Sequence, residues 1–228
     1  MASLSVSSSK KDWADPEIAS LFERGRVLPP SFYERHTVEV SRDLLGKILV
    51  VSTRSGVTAA RIVETEAYRA DDPASHSCRG ETPRSAVMFG DPGVAYVYFI
   101  YGMYEMLNFV TEPKGHAGAA LIRAAEPVAG IEWMRKRRRS VRKLADLTAG
   151  PGKLTRAMGI KMTHNRTSLQ GPELFVLDDG FRVENVSVSG RIGIRVAQEV
   201  PWRFFASGNP FVSSMPQPRV RRPQGGVR

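Results

Sequence analysis

The sequence predicts a single α+β domain, an antiparallel sheet with helices packed beside it. Three observations lead there. Short apolar runs alternate and are separated by Gly-centred turns, as in hairpin-linked strands. Asp15-Pro16 and Gly150-Pro151 are helix-start signals standing ahead of apolar residues at helical spacing. A chain of 228 residues, 42% hydrophobic, can bury a core without disulfide or metal staples. Cys78 stands alone, so it forms neither an internal disulfide nor a multi-cysteine zinc site. No apolar run reaches the roughly 18–20 residues of a membrane span. The start, MASLSVSSSKKDW, has no apolar h-region. An intracellular protein without metal or cofactor, off the membrane, is expected.

The elements follow in order. Residues 1–11 are Ser/Lys-rich and read as a disordered tail, 12–214 as the domain, and 215–228 as an Arg/Pro/Gly-rich tail. DPEIASLFERGR (15–26) reads as a helix with Ile18, Leu21 and Phe22 on one face, and a second helix near 40–45 ends at Gly46. KILVVST and VTAARIVETEAY flank Arg54-Ser55-Gly56 as a hairpin. Residues 69–93 form a polar loop long enough to suggest function. VAYVYFI (94–100), a turn at Gly102, MLNFVTE (106–112) and AALIRAAEP are strands. Residues 128–144 read as a helix with Ile131 and Met134 inward and the basic run outward, and GPGK (150–153) opens another carrying Leu154 and Met158. ELFVLD, RIGIRVA and WRFFAS complete the strands.

Charge is lopsided. Residues 1–114 carry a net −2 and residues 115–228 a net +12, within a total of +10. RKRRRSVRK (135–143) holds seven basic residues in nine. Such a field fits a polyanion, most simply nucleic acid; the plain alternative is a solvated helix face and a basic tail.

Several groups could carry chemistry. Four of the six tyrosines, Tyr96, Tyr98, Tyr101 and Tyr104, fall within nine residues. Tyr96 and Tyr98 share a strand face, where an aromatic core cluster is the plain reading; Tyr101 stands at a turn with little to pack against. Glu64, Glu66 and Tyr68 alternate on one strand, and parity does not choose between the two carboxylates. Arg123 interrupts an apolar strand and needs a buried acidic partner, for which Glu66 is a candidate. Gly150-Pro151-Gly152-Lys153 offers exposed N–H groups and a cation at a helix start.

RIVETEAY (61–68), Ala74–Ser77, Thr82–Arg84, VYFIYGMY (97–104) with Asn108, LIRAAEP (121–127) and GPGKL (150–154) occur in one order. That order and spacing resembles the alkyladenine (3-methyladenine) DNA glycosylase family over roughly residues 35–213. The resemblance implies a curved antiparallel sheet with a protruding β-hairpin. It implies a monofunctional glycosylase that flips alkylated or deaminated purines (3-methyladenine, 7-methylguanine, hypoxanthine, ethenoadenine) out of duplex DNA and leaves an abasic site in base excision repair. It implies no metal, no cofactor and no covalent intermediate, a monomer, and damaged double-stranded DNA as the partner, in the cytoplasm or nucleoid of a bacterium or the nucleus of a eukaryote. By position, Glu66 is implied as general base and Arg123 as its water-positioning partner. Tyr68, His76 and Tyr98 are implied as the base pocket, Asn108 as the residue that screens purines and Tyr101 as the side chain entering the helix. Gly152, Lys153, Arg84, Met103 and Tyr104 are implied as backbone contacts. Gly208-Asn209-Pro210 stands where the family often has Gly-Ser-Pro. The alternatives are a non-catalytic nucleic-acid-binding module and a glycosylase/lyase using Lys153 as a Schiff-base nucleophile.

Overall fold

A computed structural model describes residues 16–100 and 102–214. Asp15, Tyr101 and both expected tails lie outside the described residues.

The elements run α1 (Pro16–Arg24), β1 (Arg26–Val27), α2 (Pro30–Tyr33), α3 (Thr37–Asp43), β2 (Ile48–Thr53), β3 (Gly56–Arg69), β4 (Ala95–Ile100), β5 (Tyr104–Thr111), β6 (Gly118–Ala129), α4 (Ile131–Arg137), α5 (Pro151–Met158), β7 (Leu174–Asp178), β8 (Val186–Ser189) and β9 (Arg203–Ala206). The strands form one antiparallel sheet in the order β1-β7-β2-β3-β6-β5-β4, with β9 joined to β3 and β8 to β9. The main core lies on one face, where Leu49, Ile62, Leu107, Phe109 and Ile122 pack with Met134 of α4 and Leu154 and Met158 of α5. Leu21 of α1 covers part of the other face over Ile48 and Val50. Val87 and Met88, from a short 3-10 turn in the long polar loop, cover another part over Tyr96 and Val110. The expected α+β class therefore holds, because alternating strands supplied two apolar faces that each needed a cover.

β3 is the hinge of the sheet. Its first half pairs with β2 from Gly56 to Arg61; its second half, Glu64–Glu66, pairs with β9 on that same side. On its other side, facing β6, the register skips Val128 of β6, then Val63 of β3, then Arg123 of β6. The last two bulges, of opposite sense, cancel, and a bulge re-aims the side chains around it. Here they bring Arg123 onto the glutamates of β3.

The structure corrects four expectations. The helix expected over 128–144 is only Ile131–Arg137, because β6 runs on to Ala129. Gly130 then turns left-handed at φ 66°, where an added Cβ would stand 2.1 Å from the Val57 carbonyl. Crowded like charges do not extend α4, and the basic run does not simply face outward. Arg137 donates to the Ala157 carbonyl at 3.0 Å and to Thr53 and Ser55, and Arg138 to the carbonyls of Leu147 and Asp146. RIGIRVA is not a strand: Gly193 and Ala197 take positive φ, and the strand lies earlier at Val186–Ser189. The helix expected near 40–45 is α3, starting at Thr37. α2 and β1 were not anticipated, being shorter than any periodicity reveals.

Candidate active site

β4 and β5 form a hairpin in register from Ala95↔Phe109 to Ile100↔Tyr104. Leu107 and Phe109 enter the main core, so the residue between them, Asn108, faces the opposite side with its partner Tyr96. There a cavity of about 340 Å³ opens, lined by Tyr68, His76, Tyr96, Tyr98, Asn108, Leu121 and Arg123, with Pro151 and Ile192–Ile194 at its edge. That is within the roughly 300–1,000 Å³ range of small-molecule sites.

One wall is aromatic. Tyr96 and Tyr98 lie 5.3 Å apart, and His76 meets Tyr98 edge-on at 4.6 Å while its Nδ1 shares a 2.8 Å hydrogen bond with the Tyr96 hydroxyl. The exposed Arg84 guanidinium lies 5.1 Å from the Tyr98 ring centre. Burial, helped by Arg84, lowers the His76 imidazole to about 4, so it is neutral at pH 7. Burial, with Tyr96 alongside, pushes Tyr98 up to about 12. Asn108 is buried and donates to the Tyr96 carbonyl at 3.1 Å.

The other wall is ionic. Glu64 and Glu66 have no exposed side-chain surface, and Arg123 reaches both, at 2.9 and 3.2 Å. Glu66 Oε2 accepts the Tyr68 hydroxyl at 2.8 Å and Oε1 accepts the Ile192 N–H at 2.7 Å. Tyr68 and Ile192 line the cavity, whereas Glu64's partners Arg203 and Ser213 do not. Both carboxylates share the cavity-lining Arg123, but of the two that strand parity left equal only Glu66 also bonds Tyr68 and Ile192, so it stands directly behind the cavity lining. Burial lowers the pKa of the Arg123 guanidinium, but Glu66 and Glu64 more than reverse it, so Arg123 stays charged. Burial and Glu66 hold the Tyr68 hydroxyl well above its ordinary value.

Arg191 staples two loops to this wall. Its guanidinium, wholly buried, pairs with Asp72, donates to the Ala67 carbonyl at 2.9 Å and lies over the rings of Tyr68 and Trp202. It thereby holds the loop bearing His76 against the loop bearing Ile192.

The described part of the protein matches the family described as Methylpurine-DNA glycosylase (MPG) over residues 31–210. The chain belongs to the methylpurine-DNA glycosylase family. It is thus a DNA glycosylase, a hydrolase of DNA repair whose substrate is damaged DNA. Three relatives carry the name "Putative 3-methyladenine DNA glycosylase". The one from Methanocella arvoryzae is 48% identical over 191 residues, covering 82% of this chain and 96% of its own length. That from Alkaliphilus oremlandii is 47% identical over 82% of this chain and 98% of its own. That from Rhodopseudomonas palustris is 46% identical over 87% of this chain and 96% of its own.

Within this family member, Tyr68, His76, Tyr98, Asn108 and Arg123 line one cavity with Glu66 bonded behind them, although the glutamate and the arginine stand 57 positions apart with the long loop, β4 and β5 between them. Met103 and Tyr104 are exposed at the hairpin end, and Gly152 packs beneath the Tyr104 ring, where a Cβ would stand 2.6 Å from it. Lys153 is exposed one residue on, at the start of α5, and does not line the cavity. Asn209 of the Gly-Asn-Pro turn caps Phe211 N–H at 2.9 Å and donates to Glu126 at 3.1 Å. Sequence reasoning left Glu64 undecided beside Glu66, read Tyr96 as core packing, and missed Arg191 and Ile192. Nothing local marked the last two. Among the described residues no group of three or more His, Cys, Asp or Glu is placed to hold a metal ion, and no helix is long and apolar enough to cross a membrane.

Proposed function

We propose that this glycosylase excises N-alkylated purines, 3-methyladenine and 7-methylguanine foremost, with Glu66 as the general base. The observation that carries this reading is Glu66 itself, a wholly buried carboxylate behind the cavity lining, paired with the lining residue Arg123 and bonded to two other lining groups, Tyr68 and Ile192. Oε2 holds one hydrogen bond, from Tyr68, and a carboxylate oxygen accepts two. The remaining lone pair is free for a water. A base inside the stack is out of reach, so the nucleotide is flipped at a cost of a few kcal/mol. Tyr101 fills the gap as an intercalating wedge. Tyr68, Tyr98 and His76 receive the base, and each favourable contact of a cationic purine with a ring contributes about 0.5–2 kcal/mol. Asn108 excludes purines whose exocyclic groups it would meet. Gly152, Lys153, Arg84, Met103 and Tyr104 bind the backbone.

Water oxygen then bonds to the anomeric carbon, its proton passes to Glu66, and the C–N bond electrons leave with the purine. A cationic leaving base needs no acid. Hypoxanthine and ethenoadenine do, and the lining groups are poor acids near neutrality: His76 has already lost its proton and Tyr68 and Tyr98 hold theirs. These neutral lesions are therefore excised more slowly, by up to the 10²–10⁴-fold that a general acid supplies, taken as about 10² here. The enzyme acts as a monomer inside the cell.

The experiment is single-turnover release from lesion-bearing duplexes. Glu66→Gln should lose about 10²–10⁴-fold in rate while still binding DNA. A wild-type rate in that variant, or no abasic sites from wild type, would return the non-catalytic binding module. Hypoxanthine released as fast as 3-methyladenine would show that an acid is present after all.

A further inference from the structure

The carboxylate next to the proposed base is tied more tightly than the base. Glu64 accepts four hydrogen bonds: from Arg203 Nε at 2.7 Å, Arg123 Nε at 2.9 Å, Ser213 N–H at 2.7 Å and Ser213 Oγ at 2.8 Å. Arg203 is itself held, donating from Nη1 to Ser189 Oγ at 3.0 Å and lying over the Phe205 ring. Arg123 gives Nε to Glu64, Nη1 to Glu66 at 3.2 Å and Nη2 to Ser213 Oγ at 3.4 Å. The result is a buried row of alternating charge, Arg203–Glu64–Arg123–Glu66, with its last member behind the cavity lining.

An arginine facing one carboxylate commonly closes on it through two parallel hydrogen bonds. Glu64 and its partner Ser213 oppose that closure: Glu64 fixes the guanidinium by Nε, and Ser213 Oγ takes the Nη2 that a second bond to Glu66 would need. Glu66 receives one longer contact, on the oxygen that also takes Ile192 N–H, and its other oxygen accepts the hydroxyl of the cavity-lining Tyr68. A carboxylate gripped on both oxygens by a buried cation is a weaker base than one touched once.

We propose that Glu64 is a positioning residue for the glycosylase reaction: by engaging Arg123 Nε it limits the guanidinium to a single contact with Glu66 and keeps Glu66 basic enough to take the proton from water. The inference rests on Glu66 being the base. The other groups facing Glu66 are Tyr68 on its own strand, Tyr98 on β4, and Arg191 with the Ile192 N–H on the following loop. None of these touches Glu64 by hydrogen bond or ion pair, so neutralising Glu64 acts on Glu66 through Arg123.

The test is the pH dependence of single-turnover 3-methyladenine release from methylated duplex DNA, with duplex affinity and thermal stability measured on the same samples. Glu64→Gln should lower the plateau rate about tenfold and move the acid limb down by about one pH unit, since Brønsted behaviour ties rate to basicity. Duplex Kd should stay within about twofold, the pattern of a lost transition-state interaction. Glu64→Asp should recover part of the rate and of the limb. Ser213→Ala keeps Glu64 charged but removes one of its donors, and should shift the limb the same way by less; it decides the matter alone if Glu64→Gln does not fold. Folded variants whose acid limb stays put, losing rate only in proportion to folded protein, overturn the proposal while leaving Glu66 as base. Wild type that releases no base overturns the reading beneath it instead.

Discussion

At the scale of single residues, the site works by denying side chains their solution behaviour. His76 shows this with a measurable consequence. Its imidazole is held at about 4 by burial and by Arg84, against an ordinary 6.5. The unfolded chain therefore binds a proton near pH 6.5 that the folded chain refuses until about pH 4. The contribution to stability is complete above 6.5 and is lost as the pH falls toward 4. Melting curves of wild type and His76→Gln should show the wild type's relative Tm falling across that window; parallel curves would mean the imidazole titrates freely. The Asp72–Arg191 pair is the opposite case, two buried charges that satisfy each other. Asp72→Asn leaves Arg191 buried and unmatched, and breaking such a pair costs about 3–5 kcal/mol. Chemical denaturation would read the loss.

At the scale of elements, the basic run divides into structure and surface. Arg138 donates to the last carbonyls of the 3-10 turn Leu144–Leu147, while Arg139 is exposed. Arg138→Gln should cost about 1–3 kcal/mol, the penalty of unsatisfied part-buried acceptors. Arg139→Gln should stay within about 0.5 kcal/mol. Equal melting temperatures for the two would show that the carbonyls find water instead. The same division explains why a seven-in-nine basic stretch read as one outward helix face: sequence reveals charge, not which guanidiniums a neighbouring turn will recruit. The β3–β6 bulges belong to this scale too. Period-two alternation places Glu64, Glu66 and Tyr68 on one face correctly, but it carries no sign that Arg123 would fall at a register skip opposite them.

At the scale of the whole molecule, the +12 of the second half is not one DNA-binding surface. Arg123, Arg191 and Arg203 are buried ion-pair partners, and Arg137 and Arg138 are bonded to the fold. Lys153 is exposed next to Gly152, which packs under Tyr104 at the end of the hairpin. Lys153→Ala should weaken binding to damaged and undamaged duplex alike and reduce the slope of log K against log salt by about 0.9, one phosphate's worth. An unchanged slope would place that lysine off the backbone. The sequence by itself determined the α+β class, the hairpin and the family, because alternation, glycine turns and ordered motifs are local and survive without knowledge of the fold. Which glutamate bonds the cavity-lining residues, how Arg123 is shared between the two carboxylates and how the His76 and Ile192 loops are joined were decided only in the tertiary structure. Those are contacts between residues more than fifty positions apart, made by bulges and buried pairs, and no period or propensity along the chain encodes them.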